Sequence, residues 1–190
     1  MTASFQETDS IDGPYAWMRL GISLILSTVG GISLWSSVVV LPAIETEFII
    51  DRGDASIPYF ATVGGFAIGG IFIGRITDRF GITAPLLFST VMLAIGYFLA
   101  ANASNLWEFV AVQAIFIGML GGSAFFGPLV ADITMWFQRR RGIAVAIVAS
   151  GNYISGAVWP PIMQYTINEL GWRESHVGIG ITCLVIMIPL

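Results

Sequence analysis

Hydrophobic residues follow one another in long stretches along this chain, and short charged or Gly/Pro/Asn-containing segments separate those stretches. About 20 consecutive apolar residues are long enough to cross a bilayer as an α-helix. The pattern therefore predicts six membrane-spanning helices, of which the last is shorter than a full span and is predicted to be truncated. The predicted spans are 17–43, 57–77, 82–101, 107–133, 142–167 and 177–190.

Composition supports this interpretation, because 56% of the residues are hydrophobic and 11% are charged, whereas roughly a quarter of the residues of a soluble domain are charged. The predicted fold class is an all-α membrane protein, a bundle of six transmembrane helices that follows a polar N-terminal tail over residues 1–16. The formal net charge of −4 provides no basic face for phosphates, so we expect no nucleic-acid partner. The expected surroundings are the lipid bilayer.

Orientation follows from the arginines, because cytoplasmic loops carry the excess of positive charge. Six of the eight basic residues fall on one predicted side of the membrane, and only Arg52 and Arg173 fall on the other. This distribution predicts a multi-pass protein of the cell membrane with a cytoplasmic N-terminus. The six are Arg19, Arg75, Arg79, and the basic cluster Arg139, Arg140 and Arg141, which we assign to topology rather than to lipid binding.

This sequence contains few residues of the types that catalysis or metal binding would need. Cys183 is the only cysteine and His176 the only histidine, and lysine is absent. A zinc site, an internal disulfide and a nucleotide-binding loop are therefore excluded, and we expect no metal and no cofactor. An intramembrane serine enzyme would need a histidine beside its nucleophile. Since His176 is expected in an outer loop, far in depth from Ser123 and Ser150, we expect no catalytic residues.

Polar and large aromatic side chains within the spans are few, and they are the candidates for a substrate cavity. Asn152 lies about 15 Å into its helix at 1.5 Å per residue, which puts it near the bilayer midplane. The alternatives are an interhelical hydrogen bond for Asn152 and ordinary packing for the aromatic residues. The candidate cavity residues are Trp35, Ser36, Gln113, Asn152, Tyr153 and Trp159.

Two further patterns predict contacts between helices. Gly65/Gly69 and Gly70/Gly74 each have the four-residue spacing of a small-residue packing face, and we expect close helix packing at both. Asp132 lies near a span end, one or two turns before the basic cluster, and we expect it to pair with one of those three arginines rather than to transfer protons.

A short segment between the second and third predicted spans carries the most specific signal. Gly74, Asp78, Arg79 and Gly81 fit the spacing G-x-x-x-D-R-x-G, and here the chain resembles the major facilitator superfamily, whose signature joins its second and third helices. The family's trailing basic residues are replaced by Ile82 and Thr83. The resemblance implies that these four residues form a gating motif, with Asp78 helping to switch between inward-open and outward-open states.

Two more segments are similar to the monocarboxylate-porter and oxalate/formate-antiporter branch of that family. One is Asp-Gly-Pro-Tyr-Ala-Trp at 12–17, and the other is Trp-Phe-Gln-Arg-Arg-Arg at 136–141, which continues to Gly151. The resemblance implies the N-terminal half of a twelve-helix fold. The branch places a lysine in its first helix to meet an anionic substrate, whereas the corresponding stretch here contains Ser36.

These observations lead to an expected function of secondary active transport of a small organic solute, with a carboxylate as one option, by alternating access. The expected partners are that solute, a coupling ion, and either a C-terminal half or a second copy of the chain. The alternative is a truncated or regulatory six-helix membrane protein without transport activity of its own, and an intramembrane enzyme is the third option.

Overall fold

The computed structural model describes residues 11–190, and residues 1–10 of the predicted polar tail lie outside the described residues. The described part is all-α and contains no strand. Ten α-helices occur in it, together with one π-helical segment, Gln113–Gly121, and one 3-10 turn, Gly122–Phe125. The α-helices are α1 Pro14–Gly30, α2 Ile32–Val39, α3 Leu41–Phe48, α4 Arg52–Ala55, α5 Ile57–Phe80, α6 Thr83–Ala101, α7 Leu106–Val112, α8 Gly127–Trp136, α9 Arg141–Leu170 and α10 Trp172–Met187.

Five helical runs are long and apolar enough to cross a membrane: Pro14–Val39, Arg52–Phe80, Thr83–Ala101, Leu106–Trp136 and Arg141–Leu170. They lie over the first five predicted spans. The sixth predicted span, 177–190, falls on α10, which has 16 residues and begins five residues earlier than expected. Its crossing of the bilayer stays a prediction.

Local sequence explains several helix ends. Gly81 and Gly171 follow α5 and α9 with φ of 78° and 95°, a left-handed region that glycine enters without a steric penalty. At the start of α7, the Asn105 side chain accepts a hydrogen bond from the Glu108 backbone N–H at 2.9 Å. In return, Glu108 accepts one from the Ser104 N–H at 2.8 Å, so free N–H groups at this helix start are satisfied.

The helices pack in three main pairs, which are α5 with the π segment, α6 with α10, and α1 with α9. The buried core between them is largely aliphatic and aromatic, and its largest members include Leu93, Tyr97, Phe109, Ile117, Phe137 and Met163. Large apolar side chains on the outer faces, such as Phe60, Phe72 and Val185, are exposed. An apolar outside is what a bilayer requires of a spanning bundle.

The stretch predicted as one helix over 107–133 is instead interrupted. It begins as α7, widens into the π segment, tightens into the 3-10 turn, and resumes as α8 after Phe126. Glycines allow this path, because a Cβ at Gly118 would overlap the Thr62 carbonyl oxygen and one at Gly122 would overlap the Ser33 hydroxyl. Changes of helix type of this kind occur frequently at functional sites.

Candidate solute cavity

A cavity of about 150 Å³ lies where the first helical run, α5, the 3-10 turn and α9 come together. Its walls are mostly apolar or small, and three phenylalanines, Phe66, Phe125 and Phe126, form the aromatic part. Ser27, Ser33 and Asn152 contribute the polar groups. Both serines are about 1% exposed, and neither hydroxyl has a hydrogen-bond partner within residues 11–190.

The chain can form this cavity because two adjacent glycines interrupt its first helical run. α1 ends at Gly30, and α2 starts directly after Gly31. A Cβ at Gly30 would overlap the Phe125 ring, and one at Gly31 would lie 2.7 Å from the Ser155 hydroxyl. The missing side chains therefore let the 3-10 turn and α9 approach the helix break closely.

Of the six predicted cavity residues, Asn152 lines the cavity. Trp35 and Trp159 bind neighbouring backbone instead. The Trp35 indole N–H donates to the Asn152 carbonyl at 3.2 Å, and the Trp159 indole N–H donates to the Thr28 carbonyl at 3.0 Å. Both bonds join α9 to the first helical run and fix the position of the wall that carries Asn152.

The other three predicted residues lie apart from the cavity. Tyr153 is 76% exposed on the surface of α9, although its neighbour Asn152 faces inward. The Ser36 hydroxyl is buried and hydrogen-bonds to the Tyr97 hydroxyl at 2.9 Å. Gln113 is fully buried and belongs to a separate polar cluster.

That cluster consists of Gln113, Ser37 and Thr62. The Gln113 side-chain carbonyl accepts hydrogen bonds from the Ser37 hydroxyl at 3.1 Å and from the Thr62 hydroxyl at 3.2 Å. It joins α2, α5 and the first residue of the π segment, so it connects the three elements at one buried point. The Gln113 side-chain nitrogen has no partner among the residues that the structure covers.

The residues of the predicted gating motif lie at the end of α5. Gly74 and Asp78 line a second cavity of about 270 Å³, whose opposite wall includes Gly127 and Pro128 at the N-terminus of α8. A helix N-terminus carries partial positive charge, which suits a nearby carboxylate. The Arg79 guanidinium lies 5.4 Å from the centre of the Phe80 ring. Phe66 and Phe126 line both cavities, so the two are adjacent.

Asp132 was predicted to pair with an arginine of the basic cluster at 139–141, and that prediction is wrong. The Arg19 Nη2 of α1 donates to both Asp132 carboxylate oxygens, at 3.0 and 2.8 Å, and its guanidinium lies 4.7 Å from the Trp136 ring centre. Arg141 instead donates to the Thr134 carbonyl at 2.9 and 2.7 Å. The last carbonyls of α8 lack helical partners, and one of them, that of Thr134, attracts this arginine. Asp132 lies two residues earlier and faces α1.

The two segments that resemble the monocarboxylate branch lie against each other. The Asp12 N–H donates to the Trp136 carbonyl at 3.0 Å, and the Asp12 carboxylate accepts from the Arg139 N–H at 3.0 Å. Tyr15 packs edge-on against Trp136, and Trp17 packs edge-on against Phe137, each with ring centres 5.3 Å apart. The start of α1 is therefore fixed to the connection between α8 and α9.

Glu47, on α3 beyond the first helical run, holds the start of α10. Arg173 donates to one Glu47 carboxylate oxygen at 2.5 Å, and the Trp172 indole N–H donates to the other. Burial raises the pKa of Glu47, but the hydrogen bonds from Arg173 and Trp172 and the arginine charge outweigh it and leave that pKa below its ordinary value.

His176 is also placed differently from the prediction of an outer loop. It lies within α10 and is fully buried, and its Nδ1 hydrogen-bonds to the Trp172 carbonyl at 2.8 Å. The rings of Tyr97, Phe109 and Trp172 pack edge-on around it. An aromatic shell of this kind explains its burial as packing.

Sequence reasoning missed Ser27, Thr62 and the three cavity phenylalanines. Ser27 and Thr62 follow helix-compatible apolar residues, and phenylalanine recurs through the second, third and fourth predicted spans, so none of them stands out by residue type. Ser33 and Ser37 lie in the same predicted span as Ser36, but the different surroundings of their side chains depend on the helix break at Gly31.

Comparison with known proteins agrees with this architecture. A family model described as the Major Facilitator Superfamily matches residues 23–190. The MFS-type transporter pynF of Aspergillus niger is 29% identical over 64% of this chain and 28% of its own length. The agnestins efflux protein AgnL12 of Paecilomyces divaricatus is 26% identical over 76% of this chain and 36% of its own length. The fujikurins efflux protein of Gibberella fujikuroi is 29% identical over 67% of this chain and 28% of its own length.

The chain thus spans about a third of the length of these curated relatives. The family is one of generally non-enzymatic membrane transporters that move small solutes. A match over residues 23–190, together with five membrane-capable helical runs, establishes that this multi-pass membrane protein belongs to the Major Facilitator Superfamily.

Proposed function

We propose that this chain is the N-terminal half of a secondary active transporter that moves a small organic solute by alternating access. The observation that carries the proposal is the cavity at Asn152, with three phenylalanines and two serine hydroxyls that have no partner among residues 11–190. A mostly apolar pocket with a few convergent polar groups is typical of a small-molecule site. Secondary transporters bind their solute near the midplane and expose it alternately to each side.

Gly74, Asp78, Arg79 and Gly81 form the gating motif in this proposal. The second cavity beside Gly74 and Asp78 adjoins the solute cavity through Phe66 and Phe126. Movement of the α8 N-terminus relative to Asp78 would therefore change access to the solute cavity. The N-terminus lies in the cytoplasm of a cell membrane protein, and Arg139, Arg140 and Arg141 set that topology.

The remaining parts of the transport cycle lie in a C-terminal half or a second copy of the chain, and a coupling ion supplies the driving force. Outward transport is favoured, because two of the relatives are named as efflux proteins. The similarity of residues 12–17 and 136–141 to the monocarboxylate branch favours a carboxylate as the solute. The lining of the cavity described above supplies no basic side chain to bind one.

The test is transport by vesicles that contain the full product of the gene, whether or not it extends beyond residue 190. A panel of neutral, anionic and cationic aromatic solutes is offered with an imposed proton or sodium gradient. We expect gradient-driven accumulation of at least one solute, abolished by Asn152→Leu and retained in Gln164→Leu, an exposed control on the same helix. Folded protein that moves no solute with either gradient would contradict the proposal.

The second candidate is a six-helix membrane protein that regulates a partner without transporting. Sizing the natural protein on a denaturing gel separates the candidates. A product of about 20 kDa would favour regulation or a two-copy assembly, and one about twice as large would favour the half-transporter.

A further inference from the structure

The charge of the cavity wall is informative about the solute. None of the described residues that line the cavity is ionisable, and its polar groups are the neutral side chains of Ser27, Ser33 and Asn152. Burying an ion without a counter-charge is far more costly than burying a neutral polar group. The wall therefore favours a solute that is uncharged where it contacts this half of the protein.

The adjoining cavity strengthens this argument against an anion. Its ionisable lining residue is Asp78, and it shares Phe66 and Phe126 with the solute cavity. An anion in the first cavity would thus approach a carboxylate rather than a cation. No described arginine lines either cavity, and three of them have partners elsewhere: Arg19 pairs with Asp132, Arg141 donates to the Thr134 carbonyl, and Arg173 pairs with Glu47.

The size and shape of the wall define the rest of the solute. A cavity of about 150 Å³ is close to the volume that accommodates a benzene ring in an engineered apolar cavity. Phe66, Phe125 and Phe126 can pack against such a ring. The buried Ser27 and Ser33 hydroxyls have no partner within the described chain, so a hydroxyl or carbonyl group on the ring would satisfy groups that are otherwise costly to bury.

We infer that the cavity binds the uncharged aromatic part of an organic solute that carries a hydroxyl or carbonyl group, and that Ser33 recognises that polar group. The inference rests on the proposed function and deepens it by naming the solute class. It also replaces the carboxylate with a neutral solute at this site.

The test measures binding to the purified full product of the gene in lipid nanodiscs, using tritiated benzyl alcohol in a scintillation proximity assay. Benzyl alcohol, benzoate and benzylamine compete at pH 7, where they share one ring and are neutral, anionic and cationic. Only the saturable signal counts, because partition into lipid does not saturate. We expect benzyl alcohol to compete at concentrations at least about tenfold lower than either ion, because neither ion has a counter-charge in the wall.

Two serine variants identify the site. Ser33→Ala should weaken benzyl alcohol binding about fivefold, the value of one neutral hydrogen bond. Ser89→Ala is the matched control, because Ser89 is equally buried and also has an unpartnered hydroxyl, but it does not line the cavity. Its affinity should stay within about twofold of the parent. Circular dichroism establishes that both variants are folded.

Several results would overturn the inference: competition by benzoate or benzylamine as strong as by benzyl alcohol, equal effects of the two serine variants, or no saturable binding by folded protein. These results differ from failure of the transport proposal. If the protein transports carboxylates along the gradient and Ser33→Ala does not change that transport, the transport proposal stands and the neutral-solute site is contradicted. If the protein binds benzyl alcohol selectively but transports no solute, the neutral-solute site stands and the transport proposal is contradicted.

Discussion

Two pairs of glycines on α5 have the same spacing and opposite surroundings. Gly65 and Gly69 are buried against the π segment, where a Cβ would overlap the backbone carbonyls of Ala114 and Met119. Gly70 and Gly74 have open space at the Cβ position and line the cavity that contains Asp78. The predicted close packing is thus found at the first pair and is wrong for the second within residues 11–190. One face of α5 maintains the fold, and the other borders the space in which we propose gating.

The largest expected effect is on the packed face. Gly65→Ala should lower the free energy of unfolding by about 1–3 kcal/mol, because the added methyl group overpacks a backbone contact that cannot move independently. Gly64→Ala is the control, since nothing lies within 4 Å of its Cβ position, and it should be neutral or stabilising. Thermal unfolding in detergent, followed by circular dichroism, measures both. Equal destabilisation by the two variants would contradict the difference between the faces.

A smaller loss is expected where the same packed region is joined by polar contacts. Gln113→Leu removes the acceptor shared by Ser37 and Thr62 and should lower the free energy of unfolding by about 1–2 kcal/mol. Thr62 keeps its bond to the Pro58 carbonyl, which limits the effect. Gln164→Leu, at an exposed position, should change it by less than about 0.5 kcal/mol. Unfolding curves that coincide for the two variants would show that the cluster contributes nothing.

The open face should respond in the opposite sense. Gly70→Ala and Gly74→Ala should raise the free energy of unfolding by about 0.5–1 kcal/mol, because alanine is the better helix former and meets no neighbour here. In the transport assay, Gly74→Ala should slow the cycle, since the methyl group enters the cavity beside Asp78. If Gly74→Ala stabilises the protein and leaves the transport rate unchanged, this face of α5 does not take part in gating.

The smallest expected effect comes from the Glu47 contact, which lies away from both faces. Because the pKa of Glu47 in the folded protein is below its ordinary value, its contribution is present above about pH 4.5 and is lost as the pH falls through the folded value. The pair is more than one-third exposed, so the change should be slight. Thermal unfolding between pH 6 and pH 3.5 should show a small stability loss that Glu47→Gln lacks. A Glu47→Gln protein with the parent's pH dependence would assign that loss to other carboxylates.

Hydrophobic runs alone predicted the helical architecture, because bilayer thickness sets their length. The family signature around Asp78 was recognisable because its spacing is local, and its last glycine, Gly81, has a positive φ where α5 ends. Asn152 was identified as a cavity residue from its depth along one helix.

Contacts between helices that are far apart along the chain could not be predicted from the sequence. Asp132 has a cluster of arginines a few residues away, yet its partner is Arg19, because α1 and α8 pack together at that point. Gly65 and Gly70 are equivalent in the sequence, and only the position of the π segment distinguishes them. Tyr153 adjoins Asn152, but a helical step of about 100° turns it outward.

Alternating access at Asn152 is the central claim, and cysteine accessibility tests it most directly. Cys183 is the only cysteine among residues 1–190, so Cys183→Ser, together with replacement of any cysteine elsewhere in the full gene product, provides the background for Asn152→Cys. Right-side-out and inside-out vesicles are treated with a membrane-impermeant maleimide, and Ser104→Cys, in the exposed loop before α7, reports vesicle orientation. We predict that position 152 is labelled from both sides, whereas position 104 is labelled from one. Labelling of position 152 from one side only, under every gradient and solute tried, would contradict the account.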